Sequence, residues 1–246
     1  MFEAEKLAPI RPAAISVVVP VYNQEAALGE MMDAWTSYLT GLGCEHEILL
    51  VDESSTDGTT SVAESLAARQ PSIRAVRLQV GSGFGAGLQR GLELARHPLL
   101  AYCDGQPSYR PSDLQAMLKW IDEVHVVAGY RVQKSRPCPL SWRERASRWL
   151  IRRLFGVAMR DLGCLFLLAR RAVFVRIPIQ SDGPFAHVEV LAKANFLGCL
   201  MTEVPVECTR VSDQGSRVAG QPSTLREARQ LLCYPDFGPA FLTPHP

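Results

Sequence analysis

Residues 46–70 read HEILLVDESSTDGTTSVAESLAARQ. An unbroken apolar run, Ile48–Val51, ends on an acid, Asp52. Ser, Thr, Asp and Gly follow, and apolar residues then return at helical spacing. A short apolar run without alternation is what a strand covered on both faces requires. Side-chain oxygens ahead of a periodic apolar stretch cap a helix. The segment is a strand, a polar loop and a helix.

The same alternation extends in both directions. Upstream, ISVVVPVY (15–22) is a β-branched strand, and EAALGEMMDAWTSYLTGLG (25–43) is a helix that ends on glycines. Downstream come a strand SIRAVRLQV (72–80), a helix GAGLQRGLELARH (85–97) and a strand PLLAYCD (98–104). Then follow a helix SDLQAMLKWIDE (112–123) and a strand VHVVAGY (124–130). Alternating strands and helices predict an α/β fold, a mostly parallel Rossmann-like sheet flanked by helices. The loops after the strands then share one carboxyl edge, where open α/β sheets bind ligands. Beyond residue 130 the alternation weakens into a basic stretch, the apolar LGCLFLLARRAVF (162–174), a helix at HVEVLAKANFLG (187–198) and a strand at LMTEVPVECTR (200–210). The expected organisation is a flexible arm over 1–14, one domain over 15–217, and a C-terminal helix and irregular tail over 218–246.

The 246 residues suffice for a sizeable core, and a net charge of +1 gives no global field of the kind that binds nucleic acid. Charge is unevenly placed: between Arg131 and Arg153 eight Lys or Arg residues stand against one acid, Glu144. Seven scattered cysteines without a C-x-x-C pair predict packing thiols in a reducing compartment rather than a disulfide framework or a zinc site. The N-terminus has no apolar signal core, and no run reaches the roughly 20 apolar residues that span a bilayer. The expected location is cytoplasmic, with at most a peripheral membrane contact.

Chemistry concentrates after the strands: Pro20 to Asn23, Asp52 with Glu53, and Asp104. Acids gathered at one sheet edge repel one another and need a cation or hydrogen-bond donors. Asp57 reads equally as a helix cap. Gly81-x-Gly83-x-x-Ala86 matches a dinucleotide fingerprint, but it follows the third strand rather than the first, and the glycines serve a tight turn and close helix packing as well. His125 and His187 have no metal-ligand spacing and read as ordinary packing or surface residues.

Five stretches, ISVVVPVYNQE, EILLVDESSTDGTT, GSGFGAGLQRGLELARHPLLAYCDGQPSYRPSDL, VVAGYR and MTEVPVECTR, resemble in order and spacing the family 2 glycosyltransferases, in particular the dolichyl-phosphate mannose synthase and polyprenyl-phosphate glycosyltransferase branch. The resemblance implies a GT-A fold and inverting transfer of a hexose from a nucleoside-diphosphate sugar to a polyprenyl (dolichyl-type) phosphate. By position it places Pro20, Tyr22, Glu25 and Asp52 around the nucleotide, and Asp104 at the start of a loop that holds Mg2+ or Mn2+ and the diphosphate. It places Arg131 by the diphosphate or acceptor phosphate, Arg210 and Arg217 closing over the donor, and Glu189 on the acceptor side. Asp104, Arg131 and Glu189 are the catalytic candidates. The sequence also departs from the family: Gln24 stands for the usual Glu, DESS for D-D-G-S, Phe84 for a frequent Lys, Gln106 for the second metal-site aspartate and Ser108 for a Gln. A neutral amide at Gln106 does not offset a cation's charge, so the metal is expected to be weakly held. The same departures leave open a weakened homologue that binds a nucleotide sugar or a partner protein in a regulatory role.

The basic segment 141–158 carries two readings. On a helix, Trp142, Ala146, Trp149, Leu150, Leu154 and Val157 share one face, with Arg143, Arg148 and Arg152 largely opposite. That face either packs into the core or lies on an anionic membrane surface, where Trp and Arg suit the headgroup boundary. The second reading would bring a chain without a spanning segment to a lipid-phosphate acceptor.

Overall fold

The computed structural model describes residues 14–79, 83–105, 109–133, 136–137, 142–208 and 222–236. Strands β1 (Ala14–Val21), β2 (Glu45–Asp52), β3 (Ile73–Arg77) and β4 (Leu99–Cys103) lie in the order β3-β2-β1-β4, all parallel. Helices α1 (Glu25–Gly41) and α2 (Thr59–Arg69) pack together, and α3 (Phe84–Leu94) lies against β1 and β2. Every residue of β1 is buried, and alternate residues serve different cores. Val17 and Val19 join Trp35 on one side, and Val18 joins Leu88 on the other. This two-sided burial is why the run is continuously apolar.

The second half of the chain departs from simple alternation. A 3-10 turn at Pro111–Asp113 leads into α4 (Leu114–Leu118), then β5 (Val126–Gln133), β6 (Arg136–Pro137) and α5 (Trp142–Phe155). These are followed by β7 (Phe166–Arg170), α6 (Arg171–Phe174), α7 (Phe185–Phe196), β8 (Met201–Glu207) and α8 (Pro222–Cys233). β7 sits between β4 and β5 and is antiparallel to both, and β8 pairs with β5 in parallel. β5 therefore runs in the direction of β4, and its end reaches the same carboxyl edge. The fold is a GT-A fold with an eight-stranded, mostly parallel sheet.

Two expectations are corrected. The helix read over 112–123 stops at Leu118, because the chain tightens into three-residue turns, Trp120 N–H to Met117 O at 3.1 Å and Glu123 N–H to Trp120 O at 2.9 Å. On α5 the side facing the core is Ile151 and Phe155, with Val157 beyond them; Trp142 and Trp149 stay 75% and 68% exposed. Packing into the core does not account for those tryptophans. Among the described residues no helix is long and apolar enough to cross a membrane.

Candidate functional site

The acidic loop after β4 lies flat on the end of β1. Asp104 donates its N–H to Leu165 O at 3.2 Å, and Gly105 donates to Pro20 O at 2.9 Å. A Cβ at Gly105 would stand 2.5 Å from Val21 Cγ1 and 2.6 Å from Pro20 O, so only glycine permits this approach. Asp104 is buried at the junction, Pro20 is buried beside it, and Tyr22 is half exposed at the mouth.

The loops after β1 and β2 are knitted together. The Asp52 carboxylate accepts from Ser55 N at 2.8 Å, from Ser55 Oγ at 2.6 Å and from Thr60 Oγ1. Asn23 takes a left-handed backbone (φ 50°), which Asn tolerates better than most residues, and its Oδ1 accepts from Thr56 N at 2.9 Å. Its own N–H goes to Ser55 Oγ at 3.0 Å, and Gln24 N–H to Thr59 Oγ1 at 2.7 Å. Glu25, exposed at the start of α1, accepts from Gly58 N at 2.9 Å, while Asp57 caps the turn before α2 through Thr59 N at 3.0 Å. Asp57 is both a cap and a bridge, because Glu25 N–H also points to it at 3.3 Å. The hydroxyl of Thr59, ahead of its own and Glu25's N–H, holds the Asp57 carboxyl below its ordinary range. A carboxylate offers about four acceptor sites. Asp52 thus spends most of its capacity inside the loop and keeps room for about one further donor.

Arg131, near the end of β5, is held in a two-pronged ion pair. Its Nε and Nη2 meet Asp161 Oδ2 and Oδ1 at 2.7 and 2.9 Å, and its backbone N–H reaches Oδ2 at 3.1 Å. Gly163 N–H adds a fourth bond, to Oδ1 at 3.0 Å. Burial pushes the Asp161 carboxyl upward, but Arg131 outweighs it and leaves the acid below its ordinary range. The reciprocal pull raises the guanidinium above its ordinary value, against the cost of burial. Tyr109 stands between this pair and Asp104. Burial raises its phenol well above the ordinary value, with Cys164 and Asp104 adding to the rise and Arg131 opposing it. Tyr109 Oη accepts the N–H of Leu165, whose carbonyl holds Asp104.

Glu189 is elsewhere. It is fully buried on α7, with Oε1 2.7 Å from Lys193 Nζ, and it accepts the N–H groups of Gln180 and Ser181 at 2.8 and 2.9 Å. Lys193 also reaches Pro178 O at 2.5 Å. The pair pins the loop 178–183 into place, and that loop seats α3: Gly85 donates to Asp182 O at 2.7 Å. A Cβ at Gly85 would collide with Ser181 O. Gly83 and Gly85 therefore admit a neighbouring backbone, and the N–H of Gly85 already has a partner. Position by position, Pro20, Tyr22, Glu25, Asp52 and Asp104 share one edge, Arg131 reaches that edge bound to Asp161, and Glu189 serves the α7 loop. Gln106, Ser108, Arg210 and Arg217 lie outside the described residues.

His187 is fully buried, with Nδ1 2.8 Å from Tyr102 Oη; burial lowers its pKa to about 4. His125 accepts the Leu200 N–H at 3.0 Å through Nδ1. Both are packing residues. Asp161 escaped the sequence reading. Its signal was available, since it directly precedes a long apolar run, where an acid is costly without a partner.

As a donor set for a divalent cation, the end of β4 offers the buried carboxylate of Asp104, and the sequence puts a neutral amide two residues on, at Gln106. Among the described residues no three His, Cys, Asp or Glu side chains cluster for a metal. Magnesium is commonly held by one or two carboxylates with substrate phosphates completing its shell, so the residues fit a metal that arrives with a diphosphate.

The model of Glycosyl transferase family 2 matches residues 16–179. The dodecaprenyl-phosphate galacturonate synthase of Rhizobium johnstonii is 29% identical over 182 residues, 71% of this chain and 53% of that protein. The undecaprenyl-phosphate 4-deoxy-4-formamido-L-arabinose transferase of Pseudomonas aeruginosa is 30% identical over 161 residues, 65% of this chain and 48% of that protein. The chain spans about half the length of the curated relatives it matches. Among solved structures, glucosyl-3-phosphoglycerate synthase of Mycobacterium tuberculosis with phosphoglyceric acid superposes with a TM-score of 0.71 at 18% identity, covering 92% of this chain and 82% of that one. The same synthase with Mg2+ and uridine diphosphate gives a TM-score of 0.68 at 18% identity, again over 92% of this chain and 82% of that one.

Proposed function

The chain belongs to glycosyl transferase family 2, and on that premise we propose that it transfers a hexose, with inversion, from a nucleoside-diphosphate sugar to a polyprenyl phosphate of the dolichyl type. The observation that supports this reading is the placement of Asp104. It emerges from β4 against the end of β1, beside the knitted loops that carry Tyr22 and Asp52.

In this reading the donor's base and ribose lie between Pro20, Tyr22 and Asp52, whose remaining acceptor site takes one hydroxyl or N–H. Glu25 holds the rim through Gly58 N. Asp104, with Gln106 two residues on in the sequence, would hold Mg2+ or Mn2+, which when bound would supply positive charge to the leaving diphosphate. Arg210 and Arg217 close over the donor. Arg131 presents its guanidinium to phosphate oxygens while Asp161 fixes its plane, a geometry suited to bidentate anion contacts. The acceptor phosphate is already an anionic nucleophile, so no strong general base is required. Glu189 acts indirectly, by fixing the loop 178–183.

The polyprenyl acceptor is met at a membrane surface, to which α5 binds peripherally from the cytoplasmic side. The exposed Trp142 and Trp149, with the exposed Arg145, Arg152 and Arg153, support this.

The test is an assay of uridine, guanosine and cytidine diphosphate sugars against undecaprenyl phosphate in detergent, with and without Mn2+, paired with calorimetry of donor binding. A lipid-linked sugar that disappears in Asp104→Ala is the expected result. Donor binding without transfer would instead favour a regulatory homologue, and no binding of any donor at millimolar metal overturns both.

A further inference from the structure

Helices α5, α7 and α8 form one flank of the molecule. α5 packs on α7, where Phe155 and Phe185 rings stand 6.4 Å apart and Asn195 Nδ2 donates to Phe155 O at 3.2 Å. α8 also packs on α7, burying Leu231 in the core. Between the three lies a cavity of about 90 Å3, lined by Phe155, Ala192, Phe196, Leu231, Leu232 and the Lys193 stem. Around its mouth the surface is unusually apolar: Phe196 is 65% exposed, Tyr234 78% and Leu232 44%. On the adjoining α5, Trp149 and Leu154 extend the same character.

A single exposed apolar residue is ordinary, but several gathered around an apolar cavity mark a binding surface. The charge around it selects the partner. Arg145, Arg152 and Arg153 on α5 and Arg226 and Arg229 on α8 are exposed. Along α5 five arginines stand against one acid, and along α8 two against one. Aromatic and leucine side chains with an arginine border suit the boundary between acyl chains and anionic headgroups.

We propose that the whole α5–α7–α8 flank docks on an anionic bilayer, with Phe196, Leu232 and Tyr234 entering the headgroup–acyl boundary and the cavity admitting the end of one hydrocarbon tail from a bilayer lipid. The inference rests on the membrane-facing reading above and enlarges it, because it commits two further helices and a lipid-binding cavity. The area engaged is no longer one helix face but a flank of three helices, to which the loop 178–183 is tied where Gln180 Nε2 donates to Tyr234 O at 3.2 Å.

The test uses the full chain and vesicles of equal parts phosphatidylglycerol and phosphatidylcholine, with pure phosphatidylcholine as the comparison. Both Phe196 and Leu232 are largely outside the core, so Phe196→Asp with Leu232→Asp leaves α5 and the donor edge intact. Its partition into the anionic vesicles is expected to fall by about tenfold, while donor binding by calorimetry stays unchanged. With Trp142 and Trp149 replaced by Phe, a Phe196→Trp reporter is expected to be quenched by lipids brominated along the acyl chain. Unchanged partition together with an unquenched reporter overturns the proposal, even where α5 variants show that α5 itself binds. Partition into pure phosphatidylcholine as strong as into anionic vesicles also overturns it, since the arginine border would then contribute nothing. Loss of donor binding in the wild type would count against the transferase reading and leave the vesicle result standing.

Discussion

Arg131 and Asp161 face each other across the end of β5 in a two-pronged ion pair of 2.7 and 2.9 Å. Both are largely withdrawn from water. Removing one partner of such a pair leaves a buried charge without compensation, whereas replacing both by apolar groups often restores stability. Asp161→Asn is therefore expected to lower unfolding stability by about 3 kcal/mol, and Asp161→Leu with Arg131→Met to recover most of that loss while abolishing transfer. Urea denaturation alongside the transfer assay checks this. An Asp161→Asn protein of wild-type stability would mean that the pair is not formed in solution.

Asp104 and Gln106 are expected to separate donor anchoring from metal affinity. Asp104→Ala should abolish nucleotide-sugar binding. Gln106→Asp adds a second charged oxygen and should tighten Mn2+-dependent binding by about tenfold. Calorimetry across a manganese series reads both. A Gln106→Asp protein with unchanged metal dependence would remove this position from the metal site.

Asp52 carries a double role, and one variant exposes both. Asp52→Asn loses charge-assisted bonds to Ser55 and Thr60 and any bond to the nucleotide. Nucleotide affinity is expected to weaken by about 1.5–3 kcal/mol, the scale of a charged hydrogen bond. Thermal stability should fall by a similar amount. A loss of stability with unchanged affinity would assign Asp52 to the loop alone.

The first four strands and three helices could be read from the chain because β1, β2 and β4 are buried on both faces, so their apolar runs are unbroken, and each helix is bounded by polar loops; the half-buried β3 was legible from its place between two helices. The order of apolar residues carries no strand direction, however. LGCLFLLAR gave no sign that β7 would enter antiparallel between β4 and β5. On α5 the periodicity identified a helix but not its facing, since Trp142, Trp149, Ile151 and Phe155 are all apolar and only contacts with α7 decide which go inward. At the site, Asp52 and Asp104 were legible as acids ending apolar strands. The partners that hold Arg131 and Glu189 were not, because Asp161 lies 30 residues along the chain from Arg131 and the bonds from Gln180 and Ser181 to Glu189 come from backbone N–H groups, which carry no side-chain signature.

His187 predicts an acid-side weakness. Its folded pKa, about 4, lies below the unfolded value of 6.5, so the unfolded chain binds the proton more readily. Stability is therefore full above about pH 6.5 and declines as pH falls toward 4, by about 3 kcal/mol in total. His187→Gln retains a partner for Tyr102 Oη and should flatten this slope between those limits. Melting temperatures across the range decide it; equal slopes in the two proteins would place the imidazole within reach of water.

The parallel pairing of β5 with β8 has a consequence for the order in which the molecule is built. On one edge Val126 meets Ala169 of β7, but its partner on the other edge, Met201, comes only after α5, β7 and α7 have been made. β1 to β4 can associate as soon as the first hundred or so residues leave the ribosome, since every strand in that group pairs within it. β5 must wait for β8 with one of its edges open, and long-range parallel pairing is slow. An arrest of synthesis just before Met201 would strand a chain with a formed β1–β4 half and an exposed strand edge, the species in this protein most prone to aggregate or to be held by a chaperone.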